Sequence, residues 1–223
     1  MRGGVLLGAV LVACSCAPTL TQTALTNGQG RLQVAPEVGA AITGFDERQT
    51  VLPSIAVSAR YGVTDRFDLG LRLGPGLVEL QGKTLLVDPG AARQTKLAVS
   101  LAPTLAVAFA NVAGVGPFYG RLAVPVLVDV PVGSHRFVFG ARLAQVVAPG
   151  DARGLNLGWE LSGGVSVGFA LALGGVVQVL PEVGLDTVLA GRATLLPGAS
   201  LPQLSFRLGV LFGGSPRAER STP

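Results

Sequence analysis

The chain has 223 residues, of which 49% are hydrophobic and only 13% charged, and its formal net charge is +4. Its basic residues are scattered, with no basic run and no interleaved aromatic residues, which argues against nucleic-acid binding. One histidine and two cysteines are too few for a closed metal site, so we expect neither a metal nor a cofactor.

The first residues have the character of an export signal. Arg2 precedes an apolar stretch over 3–12 that is too short to cross a bilayer as a helix. The sequence Leu11-Val12-Ala13-Cys14 follows, and it resembles the lipobox of bacterial lipoproteins, in which the cysteine becomes the lipidated N-terminus. The resemblance predicts a signal peptide over 1–13 and lipidation at Cys14. Cys16 is a weaker candidate, because the residues before it lack the usual leucine.

An ordinary secretory signal is the alternative, with both cysteines incidental. Two cysteines one residue apart are poorly placed for a disulfide, so no disulfide framework is expected. Within the lipoprotein resemblance, Ser15 in place of an aspartate implies the outer membrane, with the anchor on its periplasmic side. Residues 14–30 are polar, rich in threonine and aperiodic, which predicts a lipidated flexible linker.

From Arg31 onward, large apolar residues alternate with small or polar ones. In residues 97–109, every odd position except Pro103 is Leu, Val or Phe, and every even position is Ala, Ser or Thr. Successive side chains of a β-strand point to opposite faces, so the run is a strand with one bulky apolar face. The pattern predicts an all-β fold of about ten strands, with eight as the alternative. The predicted strands are 31–43, 51–62, 65–73, 76–87, 96–110, 117–131, 135–148, 155–172, 175–190 and 202–213.

Two alternatives concern the elements themselves. The third and fourth strands could be one interrupted element, although Gly74-Pro75-Gly76 between them favours a turn. Residues 97–120 and 161–181 carry no charge and are long enough for helical membrane spans. Pro103, the glycines of the second segment and the period-2 spacing favour strands over helices.

Nearly all the charges of the strands fall on the small-residue face. A charge that faces lipid at mid-bilayer costs about 2–4 kcal/mol, so this face should line the lumen of a transmembrane barrel. The eight basic and seven acidic groups are nearly balanced, and we expect them to pair across a narrow, plugged lumen. A soluble lipocalin-like barrel would instead place this face in water, where its charges are too few. The lumen charges are Arg31, Glu37, Arg60, Asp68, Arg72, Glu79, Lys83, Arg121, Asp129, Arg136, Arg142, Glu160, Glu182, Asp186 and Arg207.

Nine of these are the candidate site residues, as members of lumen ion pairs. They are Arg60, Asp68, Arg72, Arg121, Asp129, Arg142, Glu160, Glu182 and Arg207. The aromatic residues form two thin belts of the kind that headgroup regions favour. Tyr61, Phe67, Phe137, Phe169 and Phe212 fall near the periplasmic ends of the strands, and Phe45, Phe109, Phe118 and Trp159 near the outer ends.

Two stretches resemble features of small outer-membrane β-barrel proteins of Gram-negative bacteria. Residues 61–71 are similar to their recurrent hairpin, with an aromatic residue, a Gly-x-Thr-Asp turn and an alternating return strand. Residues 204–212 are similar to the C-terminal signal of these proteins, although this chain adds a polar tail over 214–223. The resemblance implies an antiparallel up-and-down transmembrane barrel over 31–213, in contact with outer-membrane lipid and, during biogenesis, with the barrel-assembly machinery.

Catalysis has few candidates in the sequence. Some barrel enzymes that deacylate lipid A use a Ser–His–acid arrangement, which makes Ser134 and His135 the pair to consider. Adjacent strand residues point to opposite faces, and both residues fall in a predicted turn, so we expect a solvated turn instead. Ser162 and Ser166 near Glu160 lack a histidine and are expected to pack in the lumen.

The leading functional hypothesis is therefore a non-enzymatic outer-membrane lipoprotein with a structural or interaction role. The alternative is a narrow channel or a carrier of a small ligand. A lipid-modifying outer-membrane enzyme is the third hypothesis.

Overall fold

The computed structural model describes residues 22–43, 50–88, 97–109, 118–149, 157–174, 176–192 and 202–213. These residues form eleven β-strands in one sheet. The strands are β1 (Leu32–Thr43), β2 (Thr50–Thr64), β3 (Phe67–Gly74), β4 (Leu77–Val87), β5 (Ala98–Leu101), β6 (Thr104–Phe109), β7 (Phe118–Val132), β8 (His135–Pro149), β9 (Leu157–Gly174), β10 (Val177–Arg192) and β11 (Gln203–Gly213).

The sheet closes on itself. β1 pairs antiparallel with both β2 and β11, and every other neighbouring pair is also antiparallel. β5 and β6 share a single position in the ring, because each of them pairs with β4 on one side and with β7 on the other. The fold is therefore an all-β, antiparallel, ten-stranded barrel, and the sequence-based prediction of ten strands is confirmed.

The interruption between β5 and β6 lies at Ala102 and Pro103. Proline has no backbone N–H and cannot donate to a sheet ladder. Two backbone hydrogen bonds still bridge the break, from the N–H of Ala102 to the oxygen of Pro125 and from Gly82 to the oxygen of Pro103, both 2.9 Å long. The interrupted element is thus the fifth strand, whereas β3 and β4 are separate strands that meet at the turn 75–76.

The two faces of the wall differ in chemistry as the alternation predicts. Large apolar side chains point outward and are exposed, with Ile55 60% and Val165 57% accessible. Small and charged side chains point inward and are mostly buried. Among the strand side chains that the structure describes, no outward-facing one is an Asp, Glu, Lys or Arg. The barrel therefore presents a continuous uncharged apolar belt to its surroundings.

The two ends of the barrel differ in their connections. At one end, which holds Leu32 and Gly213, three connections have only two residues, at 65–66, 133–134 and 175–176, and the fourth, 88–97, has ten. We call this the turn end. At the opposite end the connections are 44–49, 75–76, 110–117, 150–156 and 193–202, and we call it the loop end.

The residues that precede β1 lie inside the barrel at the turn end. Each residue from Gln22 to Asn27 is at most 8% exposed. The chain then turns at Gly28 and Gly30, whose φ angles of 76° suit glycine, before it enters β1. The flexible linker predicted over 14–30 is therefore wrong for residues 22–27, because the interior of the barrel holds them by hydrogen bonds to the main chain.

Candidate functional site

The lumen holds most of the buried charge of the protein and is its candidate functional site. At mid-barrel, Glu37 accepts a hydrogen bond from Arg72, with 3.0 Å between Nε and Oε2, while Nη1 of Arg207 lies 3.9 Å from the same oxygen. All three side chains are at most 4% exposed. A buried carboxylate between two guanidinium groups is compensated on both sides, which a buried charge requires.

A second ion pair joins β8 to β10 across β9. Nε of Arg142 donates to Oδ1 of Asp186 at 2.7 Å, and Nη2 donates to Oδ2. This bidentate geometry matches the planar fork of arginine to a carboxylate. Nearby, Glu182 is buried and lies opposite Arg207 in the register of β10 and β11, so acidic and basic groups continue around the wall.

Arg60 is held by amides. Its Nε donates to Oε1 of Gln81 at 3.0 Å, and its Nη1 donates to Oε1 of Gln33 at 3.2 Å. Nε2 of Gln81 in turn donates to Oε1 of Glu79 at 2.7 Å, which connects Arg60 to an acidic group through one side chain. Gly70 lies beneath this arginine, since a Cβ at that position would come within 2.8 Å of Cγ of Arg60.

The turn end of the lumen contains a third ion pair, which binds residues 22–30. Nζ of Lys83 lies 3.2 Å from Oδ2 of Asp68. Lys83 also donates to the main-chain oxygens of Leu25, at 2.6 Å, and Thr23, at 3.3 Å. Both carboxylate oxygens of Asp68 accept the N–H of Asn27 at 3.1 Å.

Asp129 binds the same segment from β7, which is separated from β4 by the β5–β6 position. Its Oδ1 accepts the N–H of Ala24 at 2.8 Å, and the Asp129 side chain is fully buried. The side chain of Leu25 joins Leu85, Leu127 and neighbouring alanines in an apolar cluster inside the lumen. Residues 22–27 thus span the turn end of the lumen between β3–β4 and β7.

The structure places eight of the nine candidate residues among the buried side chains of the lumen, and it leaves Glu160 half-buried on the lumen face of β9. It brings four of them to partners of opposite charge: Asp68 to Lys83, Arg72 and Arg207 to Glu37, and Arg142 to Asp186. Arg121 is buried on β7, closer to the loop end. The lumen face assigned from the sequence also included Arg31, which the structure leaves exposed at the turn end.

Sequence reasoning did not include residues 22–27 in the site. The segment is recognised through its main-chain N–H and C=O groups, which leave no mark on the pattern of side chains. The one available signal was its freedom from charge between residues 17 and 30, which suits a segment buried between ionic groups.

Ser162 and His135 lie on opposite faces of the wall, and Ser134 lies in the turn beside His135. His135 is half-exposed and points outward, where its ring packs 5.7 Å from that of Phe169 and its Nδ1 accepts the N–H of Ala172 at 3.2 Å. Ser134 is exposed in the adjacent turn. Ser162 faces the lumen and donates to the main-chain oxygen of Ala144 at 3.4 Å. Neither serine is therefore placed to use the histidine as a base.

No group of three or more His, Cys, Asp or Glu side chains among the described residues could hold a metal ion. Within the same parts of the chain, no helix is both long and apolar enough to span a membrane. Several predictions lie outside the described residues: the signal peptide 1–13, lipidation at Cys14 or Cys16, the tail 214–223 and the belt residue Phe45.

No protein-family model matches the chain, and no curated protein matches it. Solved structures do. Neisserial surface protein A (NspA) has a TM-score of 0.41 and 12% identity, over 82% of this chain and 99% of that one. The outer membrane protease OmpT from Escherichia coli has a TM-score of 0.42 and 7% identity, over 87% and 98%. Ail, the attachment invasion locus protein of Yersinia pestis, has a TM-score of 0.37 and 7% identity, over 83% and 99%. At these values the likeness says nothing about what this chain binds or catalyses.

Proposed function

We propose that the chain is an outer-membrane β-barrel lipoprotein with a structural or interaction role, and that ion pairs close its lumen to solutes. The observation that carries this proposal is the inversion of the two faces: apolar side chains outside and paired charges inside. A soluble protein of this size would not leave such a continuous apolar belt in water. Bacterial barrels that span the outer membrane have this arrangement.

The connections support an orientation. Barrels of the outer membrane have short turns on the periplasmic side and longer loops outside. Three of the four connections at the turn end have two residues, so we place the turn end at the periplasm. Cys14 precedes Gln22 by eight residues, and an extended chain of that length reaches roughly 26–29 Å. A lipid on Cys14 is then within reach of the inner leaflet even though residues 22–27 occupy the lumen.

The closed lumen supports a role other than diffusion. Arg72 and Arg207 flank the carboxylate of Glu37, and Arg142 and Lys83 each lie beside a carboxylate of their own, so ion-paired side chains occupy the lumen at three places. A narrow channel or a carrier of a small ligand is the second candidate. It is favoured by the lumen face of β9, where Ser162, Gly164 and Ser166 are only half-buried.

Conductance of purified protein in planar lipid bilayers tests this proposal. We expect no channel events from the unaltered chain across a range of voltages. The variant Glu37→Ala/Arg72→Ala/Arg207→Ala, which shortens the side chains of the central cluster, should give small steps. Heat-modifiable gel migration checks that each protein is a folded barrel. Ion-selective steps from the unaltered chain would reject the closed lumen in favour of the channel.

Lipidation and location need their own measurement. In cells fed labelled palmitate, Cys14→Ala should lose the label and Cys16→Ala should keep it. Separation of the two membranes should place the protein in the outer one. Label that survives Cys14→Ala but disappears in Cys16→Ala would place the anchor on the second cysteine. Absence of label from the unaltered chain would reject the lipoprotein.

A further inference from the structure

The turn end of the lumen is built to hold the main chain of an extended segment. Asp129 and Asp68 accept the N–H groups of Ala24 and Asn27, and Lys83 donates to the oxygens of Thr23 and Leu25. Hydrogen bonds that involve an ionised group are stronger than those between neutral groups. Charged groups on β3, β4 and β7 thus bind donors and acceptors of one backbone.

The recognition extends to the point where the segment joins the wall. The N–H of Gly30 donates to the oxygen of Gly62 at 2.8 Å, and the N–H of Gly62 donates to the oxygen of Arg31 at 2.9 Å. Oγ1 of Thr26 donates to the main-chain oxygen of Asp65 at 2.7 Å. Addition of a strand-like segment to a sheet gives affinity through main-chain bonds of this kind.

Position 62 has room only for glycine when residues 22–30 are in the lumen. A Cβ at that position would collide with the carbonyl oxygen of Gly28 and would lie 2.7 Å from its carbonyl carbon. Both contacts are with backbone, which cannot rotate away as a side chain can. Any other residue at position 62 therefore displaces residues 22–30.

We propose that the turn end of the lumen is a binding site for an extended, uncharged peptide, and that residues 22–30 occupy it in cis. The four charged contacts go to main-chain atoms, so the site requires N–H groups at the positions of Ala24 and Asn27 and tolerates changes of most side chains. The apolar cluster around Leu25 adds one side-chain preference. A peptide of the same backbone pattern can then enter in trans when the segment is displaced or absent. This inference does not depend on whether the barrel conducts.

Thiol labelling of the full chain tests the occupancy in cis. Cys14 and Cys16 are replaced by serine, and a single cysteine is introduced either at the buried Leu25 or at the exposed Gln29. Leu25→Cys should react with a bulky charged maleimide at least about tenfold more slowly than Gln29→Cys, because its labelling requires the segment to leave the lumen. Equal rates in folded protein would overturn the proposal.

The variant Gly62→Val should displace residues 22–30 from the lumen. Gly120→Val is the control, since a Cβ at Gly120 meets nothing within 4 Å. Labelling of Leu25→Cys should rise to the rate of Gln29→Cys in the first background and stay slow in the second. Retained protection in a folded Gly62→Val barrel would show that the site does not hold the segment as proposed. Labelling rates do not depend on conductance. A failure of the proposed peptide site is therefore distinguishable from a failure of the proposed closed lumen.

Binding in trans is measured on a chain that begins at residue 31, refolded in detergent, with a fluorescent peptide of residues 22–30. Saturable binding is expected. Methylation of the backbone nitrogens of Ala24 and Asn27 in the peptide should weaken it by roughly tenfold or more, because each loses a hydrogen bond to a carboxylate. Equal affinity of the methylated peptide, or no binding to a barrel that shows heat-modifiable migration, would overturn recognition of the main chain. If the shortened chain does not fold, binding of a peptide of residues 22–27, which lacks Gly28, to the full-length Gly62→Val barrel decides.

Discussion

Arg142 and Asp186 meet over Gly164, although they lie on strands that are not neighbours. Each is the register partner of Gly164, Arg142 from β8 and Asp186 from β10, and their side chains form a bidentate pair across the strand between them. A Cβ on Gly164 would collide with Oδ1 of Asp186 and would lie 2.7 Å from its Cγ. The absence of a side chain on β9 is what allows the two charged groups to reach each other.

Gly164→Ala should therefore destabilise the barrel far more than an alanine at an open site. The new methyl group must displace Asp186, which separates a buried pair, and breaking such a pair costs about 3–5 kcal/mol. Urea unfolding of the protein in lipid vesicles measures the difference in free energy of unfolding. Gly120→Ala is the matched control, and it should change that free energy by about 1 kcal/mol at most. Equal effects of the two substitutions would mean that the pair does not depend on Gly164.

The pair itself can be tested by a double-mutant cycle. Arg142→Met alone leaves the buried Asp186 without its partner and should cost about 3–5 kcal/mol of unfolding free energy. Arg142→Met/Asp186→Leu replaces both charges by apolar groups of similar volume, and it should recover most of that loss. Unfolding curves of the unaltered chain, Arg142→Met, Asp186→Leu and the double variant together give the coupling energy between the two side chains. Additive effects of the two single substitutions would show that no ion pair joins these residues.

The strands and their sidedness were accessible from the sequence because both depend on a period of two residues. The strand of residues 97–109 shows it: its small face is buried and its large face exposed, and only the effect of Pro103, which splits it into β5 and β6, was missed. This alternation assigns the charged residues within the strands to the lumen before any contact is known, whereas Arg31, which lies just before β1, was assigned there wrongly.

The pairing of those charges was not accessible, because it depends on register. Arg142 and Asp186 are separated by 44 residues, and their alignment is set by the hairpins of β8–β10 together with a register shift between Val177 and Gln178. A shift of one residue would have faced either group away from the other. Residues 22–27 were missed for a different reason, since hydrogen bonds to the main chain do not select a pattern of side chains.

The destabilisation caused by a charge added to the outward face should depend on its depth in the membrane. Val165 lies in the middle of β9 and is 57% exposed on the outside of the wall, whereas Val132 ends β7 at the turn end. Val165→Arg should lower the free energy of unfolding in vesicles by about 2–4 kcal/mol and Val132→Arg by about 1 kcal/mol or less. Unfolding curves in lipid and cell-fractionation yields measure both. Equal costs at the two depths would contradict a membrane around this belt.

His135 provides the test of a lipid-modifying activity. The ring packs on Phe169 and its Nδ1 accepts the N–H of Ala172, which gives it a structural role in the wall near the turn end. His135→Ala should leave the lipid A profile of producing cells unchanged, as should the control Ser134→Ala in the same turn. Loss of the hydrogen bond and the ring contact should lower the free energy of unfolding by about 1–2 kcal/mol. Mass spectrometry of extracted lipid A makes the comparison. Since the chain has one histidine, a change of acylation that depends on His135 would assign it a catalytic role that the geometry argues against.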